Sequence, residues 1–130
     1  MVRRASAAGL RLVAAAGNGG PAAAPAYPAS YPGVVGVAAV DRLGRLWPQS
    51  APLAAPGVAA PGAGLAISAA DGTVEHISGT SYASPLVASL LLTVSRSLPP
   101  PSDAHGRLMR GGRPTDRPDH SIPQFDATCR

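Results

Sequence analysis

Proline and glycine punctuate this chain so heavily that little regular structure is open to it. Together they account for 30 of its 130 residues. Proline offers no backbone N–H, and glycine pays the largest entropy cost on ordering. One stretch escapes. Ser84 to Ser97 carries Leu86, Val87, Leu90, Leu91 and Val94 at helical spacing and is stopped by Pro99-Pro100-Pro101. Pro85 is placed in the first turn of that helix, where a missing N–H does no harm.

Elsewhere the apolar runs are strand-length and end on Gly or Pro. Leu10 to Ala16 runs into Gly17-Asn18-Gly19-Gly20, a buried strand stopped by a loop able to adopt unusual backbone angles. Val34 to Val40 is β-branched and nearly continuous, as a parallel strand covered on both faces requires. Leu53-Ala54-Ala55 reads as a minimal third strand closed by Pro56-Gly57. Ala59 to Gly64 reads as loop, and Thr73 to Ile77 as a short strand or hairpin arm. Pro21 to Pro32 excludes helix and central strand alike. The fold class is therefore α/β with a parallel sheet.

Bulk is scarce. Leu, Ile, Val and Phe number 26, matched by 26 Ala, which places the chain at the lean edge of compositions that fold alone. Its length allows one domain and is short for a parallel α/β enzyme, whose crossover units take about thirty residues each. A loose small protein and a piece of a larger one both fit these figures. Residues 1–98 hold the structured part, and 99–130, rich in Pro, Arg and Asp, are expected to be an irregular, disordered tail. No internal repeat is present.

The charge is +4, from eleven Arg and no Lys against seven acids. Apart from Arg3-Arg4 the arginines are scattered and aromatics are few, which argues against a nucleic-acid surface. A single cysteine, Cys129, excludes an internal disulfide framework and a thiolate zinc site. No apolar run approaches the ~18 residues of a membrane span. Arg3-Arg4 and the Ala/Leu/Val stretch after it imitate a signal peptide, but Arg11 interrupts the apolar run.

Two segments carry chemistry. Ser78-Gly79-Thr80-Ser81-Tyr82-Ala83-Ser84-Pro85 leads directly into the helix. A serine at a helix mouth lies near the positive end of the dipole, beside free N–H groups that would face an anion. The same residue types can serve as a plain N-cap. Ala14-Ala15-Ala16-Gly17-Asn18-Gly19 places an amide at the end of a buried strand, where parallel sheets build their sites. Such an amide can stabilise an oxyanion without bringing a charge, or can simply occupy a left-handed turn.

In order and spacing these segments resemble the subtilisin-like serine peptidases, the subtilases. Ala15-Ala16-Gly17-Asn18 matches the family's Ala-Ala-Gly-Asn oxyanion segment. Tyr31 to Asp41 is similar to its "YP-x-V-I-x-V-x-A-V-D" strand, and Leu53 to Gly57 to its "DLAAPG" element, with Pro52 where Asp is often found. Gly79 to Pro85 resembles the nucleophile signature "GTS-x-A-[AS]-P". The resemblance spans about residues 10–97 and implies part of a three-layer parallel-sheet sandwich, with Ser81 as nucleophile and Asn18 in the oxyanion hole. It implies peptide or protein substrates, no cofactor and a secreted or periplasmic setting. The calcium sites that members carry on surface loops have no Asp-rich counterpart here.

The family's Asp and His motifs precede the Ala-Ala-Gly-Asn segment and are absent from this sequence. The expectation is thus a C-terminal portion of the peptidase domain, inactive alone, whose Asp and His come from a missing N-terminal segment. On that reading the signal-like residues are the end of a helix and the strand leading to Asn18. His76 reads as structural. His105-Gly106 has part of a His motif but follows the serine in the tail, and His120 has no supporting context. Two other functions fit less of the chain. One is a non-catalytic remnant or interaction module. The other is an α/β-hydrolase-type esterase, whose Gly-x-Ser-x-Gly elbow would need glycine at Ala83 and for which no acid and His follow in a convincing setting, although Asp103 and His105 occur downstream.

Overall fold

The computed structural model describes residues 1–54, 57–96, 112–114 and 120–123. In chain order the elements are α1 (Val2–Ala7), β1 (Leu12–Ala15), β2 (Val34–Val40), β3 (Gly57–Pro61), β4 (Leu65–Ser68), β5 (Val74–Ile77), α2 (Thr80–Arg96), β6 (Gly112–Pro114) and β7 (His120–Pro123). The main sheet has the order β1-β2-β3-β7-β6. It is parallel from β1 to β7, with β6 antiparallel at the far edge. β4 and β5 form a separate antiparallel hairpin between β3 and α2.

β2 is the spine. Six of its seven residues are buried, as an uninterrupted Val/Ala run flanked by parallel strands should be. α2 lies across one face of the sheet and buries Ala83, Val87 and Leu91 against Val35, Val37, Ala39, Val58 and Ala60. These three helical positions are four apart, so they stack along one stripe. Connecting segments cover the opposite face: Leu46 packs on Ala38, Val40 and Ala59, while Leu53 packs with Ala16 and Ala29. Alanine supplies much of this core, with Ala16, Ala29, Ala38, Ala39, Ala59, Ala60 and Ala83 all buried.

β2 outruns β1, and the chain after it covers the uncovered backbone. Ala16 N–H donates to the Val37 carbonyl at 2.8 Å. Beyond that point Trp47 N–H donates to the Ala39 carbonyl at 2.8 Å. The buried Ser50 hydroxyl accepts from Ala39 N–H at 3.0 Å. The ladder is thus continued without a strand.

Several expectations are corrected. The third strand is Gly57–Pro61, not Leu53–Ala55, and it takes in part of the segment read as loop from Ala59. The cause is Leu53: its side chain fills the space over Gly36 and Gly57, where any Cβ would collide with it. Leu53 therefore belongs to the packing of the sheet without belonging to the sheet. The helix begins at Thr80, four residues before Ser84. Pro85 thus lies inside the helix rather than in its first turn, and the Ser81 carbonyl loses its i+4 donor. The hydroxyl of Ser84 donates to the neighbouring Thr80 carbonyl at 2.9 Å. Leu86, placed on the apolar stripe by spacing, is exposed.

Other expectations hold. β5 is an arm of a hairpin, and the signal-like N-terminus is a short helix followed by β1. The disordered tail expected for 99–130 is a different case: β6 and β7 within it are strands of the main sheet, and the remainder of that segment lies outside the described residues. Among the described residues no helix is long and apolar enough to cross a membrane.

Candidate active site

The C-terminal end of β1 and the N-terminus of α2 meet through one threonine. Gly17 turns the chain after β1 with φ of 102°, a conformation open to glycine at little cost. Asn18 itself has no positive φ, so the left-handed turn role falls to its neighbour and the asparagine side chain is free for other work. Its Oδ1 accepts from Thr80 N–H at 3.0 Å and from the Thr80 hydroxyl at 2.9 Å. The Thr80 Oγ1 in turn accepts from Gly17 N–H at 3.1 Å. Thr80 is buried, and every polar atom it brings inside, apart from a helical carbonyl bonded to Ser84, is used in this tie.

A backbone N–H can face only an acceptor, so the Thr80 N–H identifies the Asn18 atom opposite it as oxygen. The amide NH2 is thereby turned away from Thr80. It makes no hydrogen bond among the described residues.

Ser81 is the second residue of α2 and is exposed. It is not the cap: the residue before the helix is Gly79. Its N–H belongs to the first turn, which has no intrahelical acceptors, and no acidic residue occupies that turn. No carboxylate of that turn therefore neutralises the positive end of the helix dipole. The Ser81 hydroxyl makes no hydrogen bond among the described residues.

Two glycines hold this corner. Gly79 N–H donates to the Gly62 carbonyl at 2.7 Å. A Cβ on Gly62 would stand 2.9 Å from the Gly79 oxygen and 3.0 Å from the Cβ atoms of Ala39 and Ala83. A Cβ on Gly79 would press on Ser81 Oγ at 3.2 Å and on the Tyr82 ring at 3.3 Å. Ser78 completes the approach by accepting from Gly64 N–H at 2.9 Å. The loop leading to Ser81 is thus docked by backbone contact onto the end of β3.

Both expected site residues therefore stand at one corner of the sheet, joined by Thr80, whose part the sequence reading missed. The signal was the hydroxyl residue immediately before Ser81, which local pattern alone cannot distinguish from a capping residue. His76 is exposed on β5, and its side chain makes no hydrogen bond or ion pair among the described residues. Asp103, His105 and Cys129 lie outside the described residues. His120 is placed only as a backbone partner of Gly57 in β7.

The two carboxylates with shifted acidity serve their own turns. Asp41 is held below its ordinary 3.8 by the N–H of Arg45, then by the Arg45 guanidinium and Leu43 N–H. Asp71 is lowered by the hydroxyl and N–H of Thr73. Among the described residues no cluster of three His, Cys, Asp or Glu could hold a metal ion.

Comparison with known proteins bears on this corner. The family model described as the subtilase family matches residues 1–105. A thermostable alkaline protease of Halalkalibacterium halodurans is 39% identical over 98 residues, which are 75% of this chain and 27% of that protein. Among solved structures, the prenylagaramide maturation protease PagA superposes with a TM-score of 0.72 at 28% identity, covering 96% of this chain and 47% of its own. The self-cleaved protease domain of PatA does so at 0.70 and 33% identity, covering 87% and 46%. The chain thus spans about a quarter of the alkaline protease and under half of each of these solved structures.

Proposed function

The chain belongs to the subtilase family, and from that premise we propose that it carries the nucleophile and oxyanion side of a serine peptidase site acting on peptide or protein substrates. Ser81 Oγ attacks the scissile carbonyl carbon while its proton passes to a base. The carbonyl oxygen becomes an oxyanion and takes hydrogen bonds from Asn18 Nδ2 and Ser81 N–H. Collapse breaks the C–N bond, the amine leaves with the proton returned by the base, and the acyl group stays on Ser81. Water then releases the acid by the same route.

The observation that carries this reading is the tie on Asn18 Oδ1, which turns a neutral NH2 donor away from Thr80 at the corner where Ser81 N–H, without an intrahelical acceptor, opens α2. No described side chain is bonded to the Ser81 hydroxyl, and in this reading the base and its acid partner are supplied by a polypeptide that carries the family's Asp and His motifs. The chain alone is then inactive, because an unassisted serine hydroxyl is a poor nucleophile at neutral pH.

The test is labelling with a fluorophosphonate probe. The chain is treated alone, then mixed with a polypeptide bearing the family's Asp and His motifs. Labelling only in the mixture, abolished by Ser81→Ala, is the expected result. Labelling of the chain alone would place the base in its own tail. No labelling in either sample would favour the second reading, a non-catalytic module keeping part of the fold, which the free Ser81 hydroxyl also fits.

A further inference from the structure

We infer that Asn18-Gly19 is a modification site, at which the Gly19 backbone nitrogen displaces ammonia from the Asn18 carboxamide and so removes the NH2 donor from the chain's own site. The loss of that donor has a consequence for catalysis only on the proposed peptidase reading. The modification itself does not depend on it.

Asn18 is the only asparagine in the chain, and glycine follows it. Cyclisation needs the next backbone nitrogen to reach the carboxamide carbon, and a residue without a Cβ opposes that approach least. Gly19 does not serve a left-handed turn, since its φ is not positive. It serves close packing: a Cβ there would stand 2.8 Å from the Ala23 Cβ. The loop thus requires the one residue that leaves Asn18 open to attack. Gly17 and Gly20 on either side are pinned, the Gly17 carbonyl accepting from Ala51 N–H and the Gly20 N–H donating to the Gln49 carbonyl, both at 2.9 Å. Between them Asn18 and Gly19 are exposed, and the Gly19 N–H makes no hydrogen bond among the described residues. The two Thr80 donors on Asn18 Oδ1, at 3.0 and 2.9 Å, draw electrons from the carboxamide carbon and favour negative charge forming on that oxygen.

Solvent hydroxide takes the Gly19 N–H proton, and the nitrogen forms a bond to Asn18 Cγ. The Cγ–Nδ2 bond then breaks, and ammonia leaves with a proton taken from water, which closes a cyclic imide. Water adds to one imide carbonyl and the C–N bond at that carbon breaks. Opening at Cγ yields aspartate, and opening at the Asn18 main-chain carbonyl yields isoaspartate. Overall one water is consumed and one ammonia released. Either product has lost the NH2 and gained a free carboxylate. The aspartate can accept from the same Thr80 N–H and hydroxyl, at a helix start with no acidic residue in its first turn, so it is held in place with no donor to offer.

The test follows the mass of the full chain, incubated folded in mildly alkaline buffer, with its peptides mapped for aspartate and isoaspartate. The expected result is first-order exchange of NH2 for OH at residue 18, within about tenfold of the rate in the urea-unfolded chain, because no hydrogen bond of the attacking nitrogen has to open. Gly19→Ala, made together with Ala23→Gly to keep the space, should slow the exchange about tenfold or more. An amide retained in the folded chain while the unfolded one loses it, or an unchanged rate in the double variant, would sink the inference. A second arm reads Ser81 labelling in the complemented mixture. Aged chain should lose labelling in proportion to the amide lost, while the aged double variant keeps the rate it has when fresh. Undiminished labelling of fully deamidated chain would overturn the loss of the donor. If no fresh mixture labels, the peptidase reading fails, and the mass measurement still decides the modification.

Discussion

Asn18 and Ser81 are 63 positions apart in the chain and owe their proximity to a residue that touches both, Thr80. Asn18→Ala deletes the proposed donor while leaving Thr80 to find water, so labelling of Ser81 in the complemented mixture should fall about ten- to a hundredfold, the cost of one hydrogen bond to a charged oxygen. Asn18→Asp should do worse than alanine, since it sets a negative charge beside the developing oxyanion. A second residue-scale expectation concerns acid. Asp41 has its folded pKa lowered by Arg45 and Leu43, so the unfolded chain holds the extra proton between the two pKa values. Its contribution is present above the ordinary value of 3.8 and fades as pH falls through the lowered one. The group is solvent-exposed, so the effect is small. Asp41→Asn should remove that slope from an acid titration of stability and change little at neutral pH.

At the scale of elements, packing decided what spacing could not. Periodicity located α2 and its polarity, yet the buried stripe runs through Ala83, Val87 and Leu91 and starts earlier than the bulky residues suggest. The small residue at 83 is what lets the helix start sit on Gly62. Leu91 is 3% exposed, and Leu91→Ala should cost about 2–5 kcal/mol by urea or thermal unfolding. The misplaced third strand has a similar cause. Leu53 looked like strand because it is apolar, while its real partners are two glycines on different strands, contacts that local sequence does not encode. β1 offers a further check. Ala16 N–H bonds toward β2, so by the two-residue period Ala14 does likewise, and Val13 and Ala15 face the open edge. Amide exchange should be fast at Val13 and Ala15 and slower at Ala14 and Ala16. Equal protection at all four would mean that something pairs with that edge.

At the scale of the whole molecule, the sheet has two well-covered neighbouring strands among the described residues, β2 and β3, and an edge strand, β1, whose four residues are all only half-buried. With 26 Leu, Ile, Val and Phe in the entire chain, the core relies on alanine, which contributes little area per residue. The chain expressed alone should therefore be only marginally stable and melt at low temperature, and a melt at high temperature would contradict this. The sequence by itself determined the apolar runs of the sheet and helix, the glycine and proline that end them, and the Gly-Asn and Gly-Thr-Ser segments that identify the family. These are local properties, written in periodicity, breakers and motif order. Only the tertiary structure decided that the third strand starts at Gly57, that Pro85 lies within the helix, and that Thr80 holds the oxygen of Asn18. Each of these depends on contact between segments far apart in the chain, where close packing and the satisfaction of buried polar groups outweigh local preference.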